Sequence, residues 1–420
     1  MLVEFSVANF KSIREQQTLK LTPVKAYKEH SDNVFATGRA SESLLHTLAI
    51  YGANAAGKSS LLEALNFMES FVLRNSKMNE GEKTEVNPFK LDDYSYLEPS
   101  SFEIVFIDEG IRYQYGFSLT QDTIVSEWLY VTPSKSVQTW FERDGEDENE
   151  WYINRNLASK SDRDTWKRMT RSNTLLLSLA VQLNAEKLKP IFNWFRKKIT
   201  PLENGNPALT AELTRDSSLK TKVLSYLNAA DLSIMDLNID EKKLSIDDLS
   251  EIEKKLGSDA PSEFKEALEK GDIRHLKVSV THVDNQRVLL AMDEESEGTQ
   301  KLFALAMPLI DILEKGQVVY IDELNNSLHP FIVRMIVDLF NNPETNPNHA
   351  QLIFTTHAAS VLDNKVFRRD QIWFVEKDNE LVTQLYPLSD FCPRTNEALA
   401  KGYLEGKYGA VPFIGDFNWR

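Results

Sequence analysis

Short apolar runs that end in polar residues recur along the chain and predict buried strands. Leu48–Tyr51, Val318–Ile321 and Leu352–Phe354 are the clearest of these runs. A continuous apolar run is typical of a parallel strand that is covered on both faces. The sequence therefore predicts an α/β core in which polar side chains collect at the carboxyl ends of parallel strands.

A second pattern alternates apolar and polar residues and predicts antiparallel strands. Residues 2–9 alternate in this way, and so do Phe102–Ile107 and Arg112–Phe117, which residues 108–110 separate. These three residues are Asp, Glu and Gly, and an acidic residue before a glycine is typical of a β-hairpin turn. We therefore expect a hairpin in this part of the chain.

Helical patterns dominate from about residue 157 to residue 275. We expect two short charged helices at Asp247–Leu256 and Ser262–Leu268. A later helix is expected to begin at Pro330 and to run over Phe331–Phe340, because proline is favoured in the first turn. The helical stretch shows no sustained heptad repeat, so long coiled-coil arms are excluded.

Residues 52–59 read Gly-Ala-Asn-Ala-Ala-Gly-Lys-Ser, which is a full match to a phosphate-binding loop. The loop follows the apolar run that ends at Tyr51 and precedes a helical pattern at 61–65. We predict that backbone N–H groups cradle the phosphates of ATP and that Lys58 reaches the β- and γ-phosphates. The Ser59 hydroxyl is predicted to bind Mg²⁺. We also expect Lys58 to lie on the solvent side of the site.

Two carboxylates follow the run Val318–Ile321. Asp322 is predicted to lie on the Mg²⁺ side of the site, and Glu323 to orient or deprotonate the attacking water. A strand that ends in two acids is common before any polar loop, but after a phosphate-binding loop it indicates nucleotide hydrolysis. His357 ends the strand of the third apolar run, and we predict that it contacts the γ-phosphate. The alternative is a hydrogen-bonded histidine without a catalytic role.

A second anion-binding element is predicted at residues 296–300, which read Ser-Glu-Gly-Thr-Gln and precede a helical run. A hydroxyl and bare backbone N–H groups at the start of a helix are suited to an anion. If two copies of the chain associate head to tail, Ser296, Gly298 and Thr299 of one copy complete the nucleotide site of the other.

The order of these motifs resembles that of ABC-type ATPase heads, the branch that includes SMC, Rad50 and RecF proteins. Within it the chain is most similar to the compact AAA15/AAA21 ATPases of bacterial anti-phage systems, namely RloA-like and AbiL-like proteins and the ATPase of the PARIS system. Residues 5–13, 87–91 and 403–412 resemble segments of these proteins. Residues 296–300 differ from the transporter-type Leu-Ser-Gly-Gly-Gln, which argues against a transporter ATPase. The glutamine-loop equivalent stays open between Gln114 and Asn87–Leu91.

The resemblance implies a two-lobed head with a mixed sheet, a phosphate-loop helix, an antiparallel β subdomain and a helical insertion. The expected lobes are residues 1–135 and 276–420, with the insertion at 136–275. It also implies catalytic roles for Glu323, His357 and Lys58, metal binding by Ser59 and Asp322, and contacts in trans from the Ser296 segment. The implied nucleotide-binding residues are Lys11, Ser12, Gly52, Asn54, Ala55, Ala56, Gly57, Lys58, Ser59 and Ser60.

Composition and charge limit the location of the protein and the partners that it can bind. The chain has 420 residues, a formal net charge of −15 and one cysteine, Cys392. A single cysteine excludes internal disulfides, and with no signal-peptide layout or membrane-spanning run we expect a cytoplasmic protein. The negative charge argues against a general nucleic-acid binder. Basic residues nevertheless cluster at 160–171 and 196–198, either as a solvated helix face or as a docking face for nucleic acid or an acidic partner.

The resemblance further implies a homodimer or higher homo-oligomer that controls a separate effector, a nuclease of TOPRIM or RloB-like type, in anti-phage defence. The helical insertion or residues 403–412 are the expected docking segments. From the length of the segment after His357 we expect no TOPRIM domain there. Two alternatives stay open at this point, a RecF-like or SMC-like DNA-repair clamp and a nucleotide-gated scaffold whose hydrolysis is incidental.

Overall fold

The computed structural model describes residues 1–39, 42–145, 150–203, 205–243, 274–282 and 289–412. The expected helices at 247–256 and 262–268 lie outside the described residues. The chain divides into two compact units. The first unit comprises Met1–Glu203, Ile312–Asn326 and Pro330–Arg420, and the second comprises Asn204–Asp311 and Ser327–His329.

Strands and helices alternate irregularly along the described residues. The strands are β1 (Leu2–Ala8), β2 (Gln17–Lys20), β3 (Val34–Ala36), β4 (Ser43–Leu45), β5 (Thr47–Tyr51), β6 (Ser100–Asp108), β7 (Ile111–Leu119), β8 (Ile124–Thr132), β9 (Gln138–Asp144), β10 (Tyr152–Ile153), β11 (Ile199–Pro201), β12 (Ile234–Lys243), β13 (Arg274–His282), β14 (Leu289–Ala291), β15 (Val318–Ile321), β16 (Gln351–Thr356), β17 (Ile372–Lys377) and β18 (Thr383–Pro387). The α-helices are α1 (Lys58–Arg74), α2 (Lys160–Met169), α3 (Leu176–Gln182), α4 (Lys189–Lys197), α5 (Pro207–Leu213), α6 (Ser217–Ala229), α7 (Glu297–Lys315), α8 (Pro330–Asn341) and α9 (Leu399–Leu404).

A mixed six-stranded sheet forms one layer of the first unit, in the order β11-β15-β16-β5-β17-β18. All neighbours are parallel except β17 and β18. The three apolar runs of the sequence are the adjacent strands β15, β16 and β5, and all of their residues are buried. The predicted α/β class is confirmed. Because these strands are parallel, their carboxyl ends meet at one edge of the sheet.

An antiparallel seven-stranded sheet forms the second layer, in the order β10-β9-β8-β7-β6-β1-β2. The predicted hairpin is confirmed as β6 and β7, which pair from Ser100↔Leu119 to Asp108↔Ile111. Its two-residue turn has φ of 47° at Glu109 and 77° at Gly110. Positive φ at both turn residues is the backbone that a two-residue hairpin requires, and glycine adopts it without strain.

Helix α1 holds the end of the phosphate-binding loop in place. Leu61, Leu65, Met68 and Val72 recur every three or four positions on this helix, and all four are buried. Such spacing puts them on one face, where they join the apolar core of the first unit. The predicted helix after Pro330 is confirmed as α8. No helix in the described part of the chain is long and apolar enough to cross a membrane.

The second unit contains a strand where the sequence pattern predicted helix. β12 pairs with β13 along its length, with Leu237 opposite Val280, and β13 pairs with β14. The expectation of a helical stretch up to residue 275 is therefore wrong at Ile234–Lys243. Leu237 and Ile239 alternate with polar residues there, which is a period of two, and Leu237 is buried against the neighbouring strand.

Candidate nucleotide site

The phosphate-binding loop joins β5 to α1, and two of its glycines are required by close approach. A Cβ atom at Gly52 would lie 2.3 Å from the backbone oxygen of Val375. At Gly57 it would lie 2.1 Å from the hydroxyl of Thr383, and Gly57 also has a φ of 113°. Any side chain at either position would displace the hairpin formed by β17 and β18. The loop is therefore shaped from outside by a hairpin that is remote in sequence.

Lys58 is buried, with 5% of its surface exposed. Its ammonium donates hydrogen bonds to the backbone oxygens of Gly52 and Ala53, both at 2.9 Å. The expectation of a lysine on the solvent side is wrong, because the loop folds around the side chain. Burial lowers the pKa of Lys58, and the nearby carboxylates of Glu323 and Asp322 oppose this shift. Lys58 is thus held inside the loop that is predicted to receive phosphates.

Ser59 and Asp322 are brought together at the carboxyl ends of the strands. The Ser59 hydroxyl donates to Oδ2 of Asp322 at 2.6 Å, and the buried Thr355 hydroxyl donates to Oδ1 of the same carboxylate. A hydroxyl beside a carboxylate fits Mg²⁺, which prefers oxygen ligands and completes its shell with substrate phosphates and water. The donor set therefore fits the predicted metal.

Glu323 lies at the same edge in an unusual backbone conformation. Its φ is 47°, a left-handed value that costs a non-glycine residue roughly 1–3 kcal/mol. Its N–H donates to the Thr355 hydroxyl at 2.8 Å, and its C=O accepts from the N–H of Asn326 at 2.8 Å. One hydroxyl, that of Thr355, thereby contacts both acidic positions of the strand end.

A cavity of about 210 Å³ lies beside the phosphate-binding loop. It is lined by Ser12, Asn54, Ala55, Gly57, Lys58, Ser59, Ser60, Glu323 and Lys377. Gly52, Ala56, Asp322, Lys11 and His357 do not line it. A larger cavity of about 570 Å³, bordered by Tyr27 and Arg368, contains none of the predicted site residues. The small cavity is therefore the candidate for ATP binding.

The N-terminal pair Lys11–Ser12 is split between two environments. The Ser12 hydroxyl donates to the hydroxyl of Ser60 at 2.9 Å and borders the cavity. The Lys11 ammonium is 2.6 Å from the carboxylate of Glu63. The N–H of Lys11 donates to the C=O of Asn87 at 2.8 Å, so the segment that Asn87 begins lies beside Lys11.

The other glutamine-loop candidate is held elsewhere. The Gln114 side chain donates to the carboxylate of Glu103 at 3.0 Å within the antiparallel sheet. Neither Gln114 nor the Asn87 segment lines the cavity. Neither candidate for the glutamine loop therefore reaches the cavity.

Family comparison agrees with this geometry. The family model AAA_21, described as "AAA domain, putative AbiEii toxin, Type IV TA system", matches residues 48–363, which is more than half of the chain. The chain belongs to this family. Family membership and the phosphate-binding loop together support a nucleotide-binding ATPase of AAA type. Among curated proteins, none matches the sequence.

Two solved structures are similar to this AAA_21 protein at low identity. One is the "SmcHead bound to the C-winged helix domain of ScpA", with 13% identity, a TM-score of 0.43, and coverage of 93% of this chain and 99% of that one. The other is cbiO1 from Clostridium perfringens, "part of the ABC transporter complex cbiONQ", with 10% identity, a TM-score of 0.31, and coverage of 93% and 91%. At these TM-scores neither likeness carries an argument about ligand or partner.

His357 follows β16 and is exposed. The side chain of Asn325 bridges it to its neighbour Thr356. The Thr356 hydroxyl donates to Oδ1 of Asn325 at 2.6 Å, and Nδ2 of Asn325 lies 3.3 Å from Nε2 of His357. The N–H of Ala358 donates to the same Thr356 hydroxyl at 3.0 Å. The Asn325 side chain therefore links the end of β16 to His357.

The Ser296 segment lies in the second unit at the start of α7. The Ser296 hydroxyl accepts from the N–H of Thr299 at 3.2 Å, so it caps its own helix. Thr299 is buried, and a Cβ atom at Gly298 would lie 3.0 Å from the backbone oxygen of Ser327. Glu297 accepts from the Ser327 hydroxyl at 2.7 Å. The segment is thus a capped helix start with a close backbone contact at its glycine.

Sequence reasoning missed Lys377, which lines the cavity, and also Thr355 and Thr383, which contact residues of the site. Thr355 was visible only as part of a strand end, whereas its hydroxyl organises both acids. The Thr383 hydroxyl lies 2.8 Å from that of Ser12 and 3.0 Å from the C=O of Ala56. No local motif marks Lys377 or Thr383, because both reach the loop through strand pairing.

Proposed function

We propose that this protein is an ABC-type ATPase that binds ATP with Mg²⁺ and hydrolyses it to ADP and phosphate. The observation that carries the proposal is the 2.6 Å contact between Ser59 and Asp322, beside a phosphate-binding loop whose cavity also contains Glu323. A hydroxyl, two acids and a buried lysine around one loop are the groups that phosphoryl transfer to water requires.

Each residue has a separate task in this mechanism. The N–H groups of the loop bind the phosphates, and Lys58 exchanges its two carbonyl partners for phosphate oxygens. Ser59 and Asp322 would hold Mg²⁺, and the bound cation would supply positive charge beside the phosphates. Glu323 orients a water molecule, whose oxygen bonds to the γ-phosphorus as the bond to the bridging oxygen breaks. The proton of that water passes to the Glu323 carboxylate.

His357 is proposed to contact the γ-phosphate. Nε2 of His357 faces Nδ2 of Asn325, so it has to exchange this partner for a phosphate oxygen. The 3.3 Å separation of the two nitrogens marks a weak hydrogen bond, so this exchange requires little energy.

The variant Glu323→Gln tests the assignment of the base. The amide keeps the size of the side chain but accepts no proton, so ATP should still bind while turnover falls roughly a hundredfold or more. Binding is measured by calorimetry and turnover by phosphate release. Glu344→Gln is the matched control, because Glu344 is exposed and lies outside the cavity. Wild-type turnover in Glu323→Gln would remove Glu323 from the mechanism.

The assembly proposed is a head-to-tail homodimer, or a larger homo-oligomer built from it. In that arrangement the α7 start of one copy, with Ser296, Gly298 and Thr299, contacts the nucleotide of another copy. Support comes from Gly298, which has no side chain to cover the backbone N–H groups at the beginning of a long helix. ATP would then favour association, and hydrolysis would release it.

The biological role proposed is control of a separate effector, a nuclease of TOPRIM or RloB-like type, in anti-phage defence. The family description and the nucleotide site support a switch, and the effector follows from the resemblance in sequence. Within residues 403–412, Tyr403 and Tyr408 are buried, and the Tyr403 hydroxyl donates to the C=O of Ala410. These two aromatic rings are therefore not accessible for docking in this conformation, whereas the exposed Leu404 offers an apolar contact.

Co-expression with the product of a neighbouring gene tests the two-component role. We expect the two proteins to co-purify and phage protection to require both. Protection by this chain alone, or nuclease activity of the isolated chain, would contradict a separate effector. Full protection by Glu323→Gln would favour a nucleotide-gated scaffold over an ATPase cycle.

A further inference from the structure

The hairpin of β17 and β18 extends beyond the strand that leads into the phosphate-binding loop. β17 pairs with β5 up to Phe374↔Tyr51, and three residues of β17 continue past that point. The first of them, Val375, places its backbone oxygen against Gly52. The last, Lys377, lies directly opposite Thr383 in the hairpin. This end of the hairpin therefore runs alongside the loop.

The pairing of Lys377 with Thr383 decides where the lysine points. Directly opposed residues of an antiparallel pair project from the same face. The Thr383 side chain contacts Gly57, the C=O of Ala56 and the Ser12 hydroxyl, so it faces the loop. Lys377 projects from that same face and borders the cavity together with Lys58.

Lys11 and Lys377, two cations outside the loop, differ in their partners. Lys11 is an expected nucleotide contact, but its ammonium is 2.6 Å from Glu63 and it does not line the cavity. The Lys377 side chain is exposed, and within the described residues its ammonium has no carboxylate within ion-pair distance. A cation that borders a phosphate cavity without a protein counter-charge is suited to a phosphate oxygen.

The neighbours of Lys377 indicate which phosphate it faces. Thr383 contacts Ser12, and Ser12 donates to Ser60, two positions after Lys58 on α1. In phosphate-binding loops the lysine reaches the β- and γ-phosphates, whereas the backbone of the loop cradles the α- and β-phosphates. Thr383 contacts that backbone at Gly57 and Ala56, so the hairpin borders the part of the site that is nearer the nucleoside.

We propose that Lys377 is a nucleotide-binding residue that contacts the α-phosphate, and that the β17–β18 hairpin forms one wall of the nucleotide site. This inference rests on the proposed function, since it places a further contact at the same cavity. It assigns the lysine to affinity rather than to turnover, because the α-phosphate carries no bond that breaks on hydrolysis. The contact is shared by ATP and ADP.

The variant Lys377→Met tests this assignment, because methionine removes the charge and keeps an unbranched side chain. We expect the Kd values of both ATP and ADP to rise about tenfold, with kcat at saturating ATP changed less than twofold. Lys377→Arg should keep most of the affinity. Lys365→Met is the matched control, because Lys365 is exposed and does not line the cavity. The Kd values are measured by calorimetry on the full chain at fixed ionic strength.

Two results would overturn the inference while the proposed function stands. Unchanged Kd values for both nucleotides would show that Lys377 contacts neither of them. A rise for ATP with no rise for ADP would place Lys377 at the γ-phosphate and not at the α-phosphate. Failure of the unmodified protein to bind either nucleotide would instead refute the proposed function itself, so the two failures are distinguishable.

Discussion

The hydroxyl of Ser59 lies 2.6 Å from Oδ2 of Asp322, although 263 positions separate the two residues. Ser59 is in the first turn of α1, and Asp322 follows β15. The contact crosses the carboxyl end of β16, whose Thr355 hydroxyl donates to the other oxygen of the same carboxylate. The fold therefore brings together two oxygen groups that are suited to Mg²⁺.

Asp322→Asn should abolish most Mg²⁺-dependent turnover. The amide keeps the volume and one acceptor oxygen but removes the negative charge, so we expect ATP hydrolysis to fall roughly a hundredfold or more. Phosphate release measured across a Mg²⁺ titration checks this, and a melting curve confirms that the variant is folded. An unchanged Mg²⁺ dependence would show that the cation is held elsewhere.

Thr355 is predicted to position both acids without contacting the nucleotide. Thr355→Val keeps the shape of this buried side chain, but Asp322 loses a donor and the N–H of Glu323 loses its acceptor. We expect kcat to fall roughly tenfold because Glu323 is misplaced, while the Kd for ATP changes little. Thr355→Ser should restore turnover, since it returns the hydroxyl. A loss of stability with no change in kcat would give Thr355 a structural role only.

The parts of the site that were predictable from sequence lie within local motifs. The residues of the phosphate-binding loop are contiguous, so the motif at 52–59 predicts both the loop and the helix that follows. Asp322 and Glu323 follow an apolar strand, and parallel strands share an edge, which is why their approach to Ser59 was expected. Short-range spacing and strand type were sufficient for these assignments.

The parts that were not predictable depend on pairing between distant segments. Thr383 contacts Ser12 although 371 positions separate them. Lys377 borders the cavity because it lies directly opposite Thr383 in the β17–β18 hairpin. Burial of Lys58 follows from how the loop wraps, which composition does not encode. β12 was missed because the alternating pattern at Leu237 and Ile239 covers few residues, whereas the helical patterns on either side of it are longer.

Glu69 should make the free energy of unfolding depend on pH near neutrality. It lies on α1 and accepts from the Tyr320 hydroxyl at 2.9 Å. Burial raises the pKa of its carboxyl from 4.5 to about 7. A raised carboxyl pKa means that the folded state favours the protonated form of Glu69. The stabilisation of the folded state by this carboxyl is therefore complete below pH 4.5 and is lost as the pH rises through 7. Its full size is about 3 kcal/mol.

Glu69→Gln replaces the protonated carboxyl by a neutral amide and should remove that dependence. We expect the variant to be more stable than the unmodified protein above pH 7 and about equal to it below pH 4.5. Denaturant unfolding at several pH values measures the difference. Glu80→Gln is the control, because Glu80 is exposed. Parallel pH profiles for the Glu69 variant and the unmodified protein would contradict a raised pKa.

A mixing experiment decides whether the Ser296 segment acts on a second copy of the chain. Lys58→Met damages the phosphate-binding loop, and Gly298→Arg places a large side chain at the start of α7. Each variant alone should be inactive. In a head-to-tail dimer of one copy of each, one site combines the intact loop of the Gly298 variant with the intact helix start of the Lys58 variant. Random mixing in equal amounts makes half of the dimers mixed, with one working site in two, so roughly a quarter of the unmodified activity should return.

Folding controls decide how a negative mixing result is interpreted. A Cβ atom at Gly298 would already lie 3.0 Å from the Ser327 backbone oxygen, so Gly298→Ala serves as the milder companion variant. Both variants should keep the melting temperature of the unmodified protein within a few degrees. If mixed dimers are demonstrated by differential tagging and hydrolysis still does not return, the helix start does not act in trans. The proposed head-to-tail site would then be wrong, whereas the assignments of Ser59, Asp322 and Glu323 would stand, since they rest on contacts within one chain.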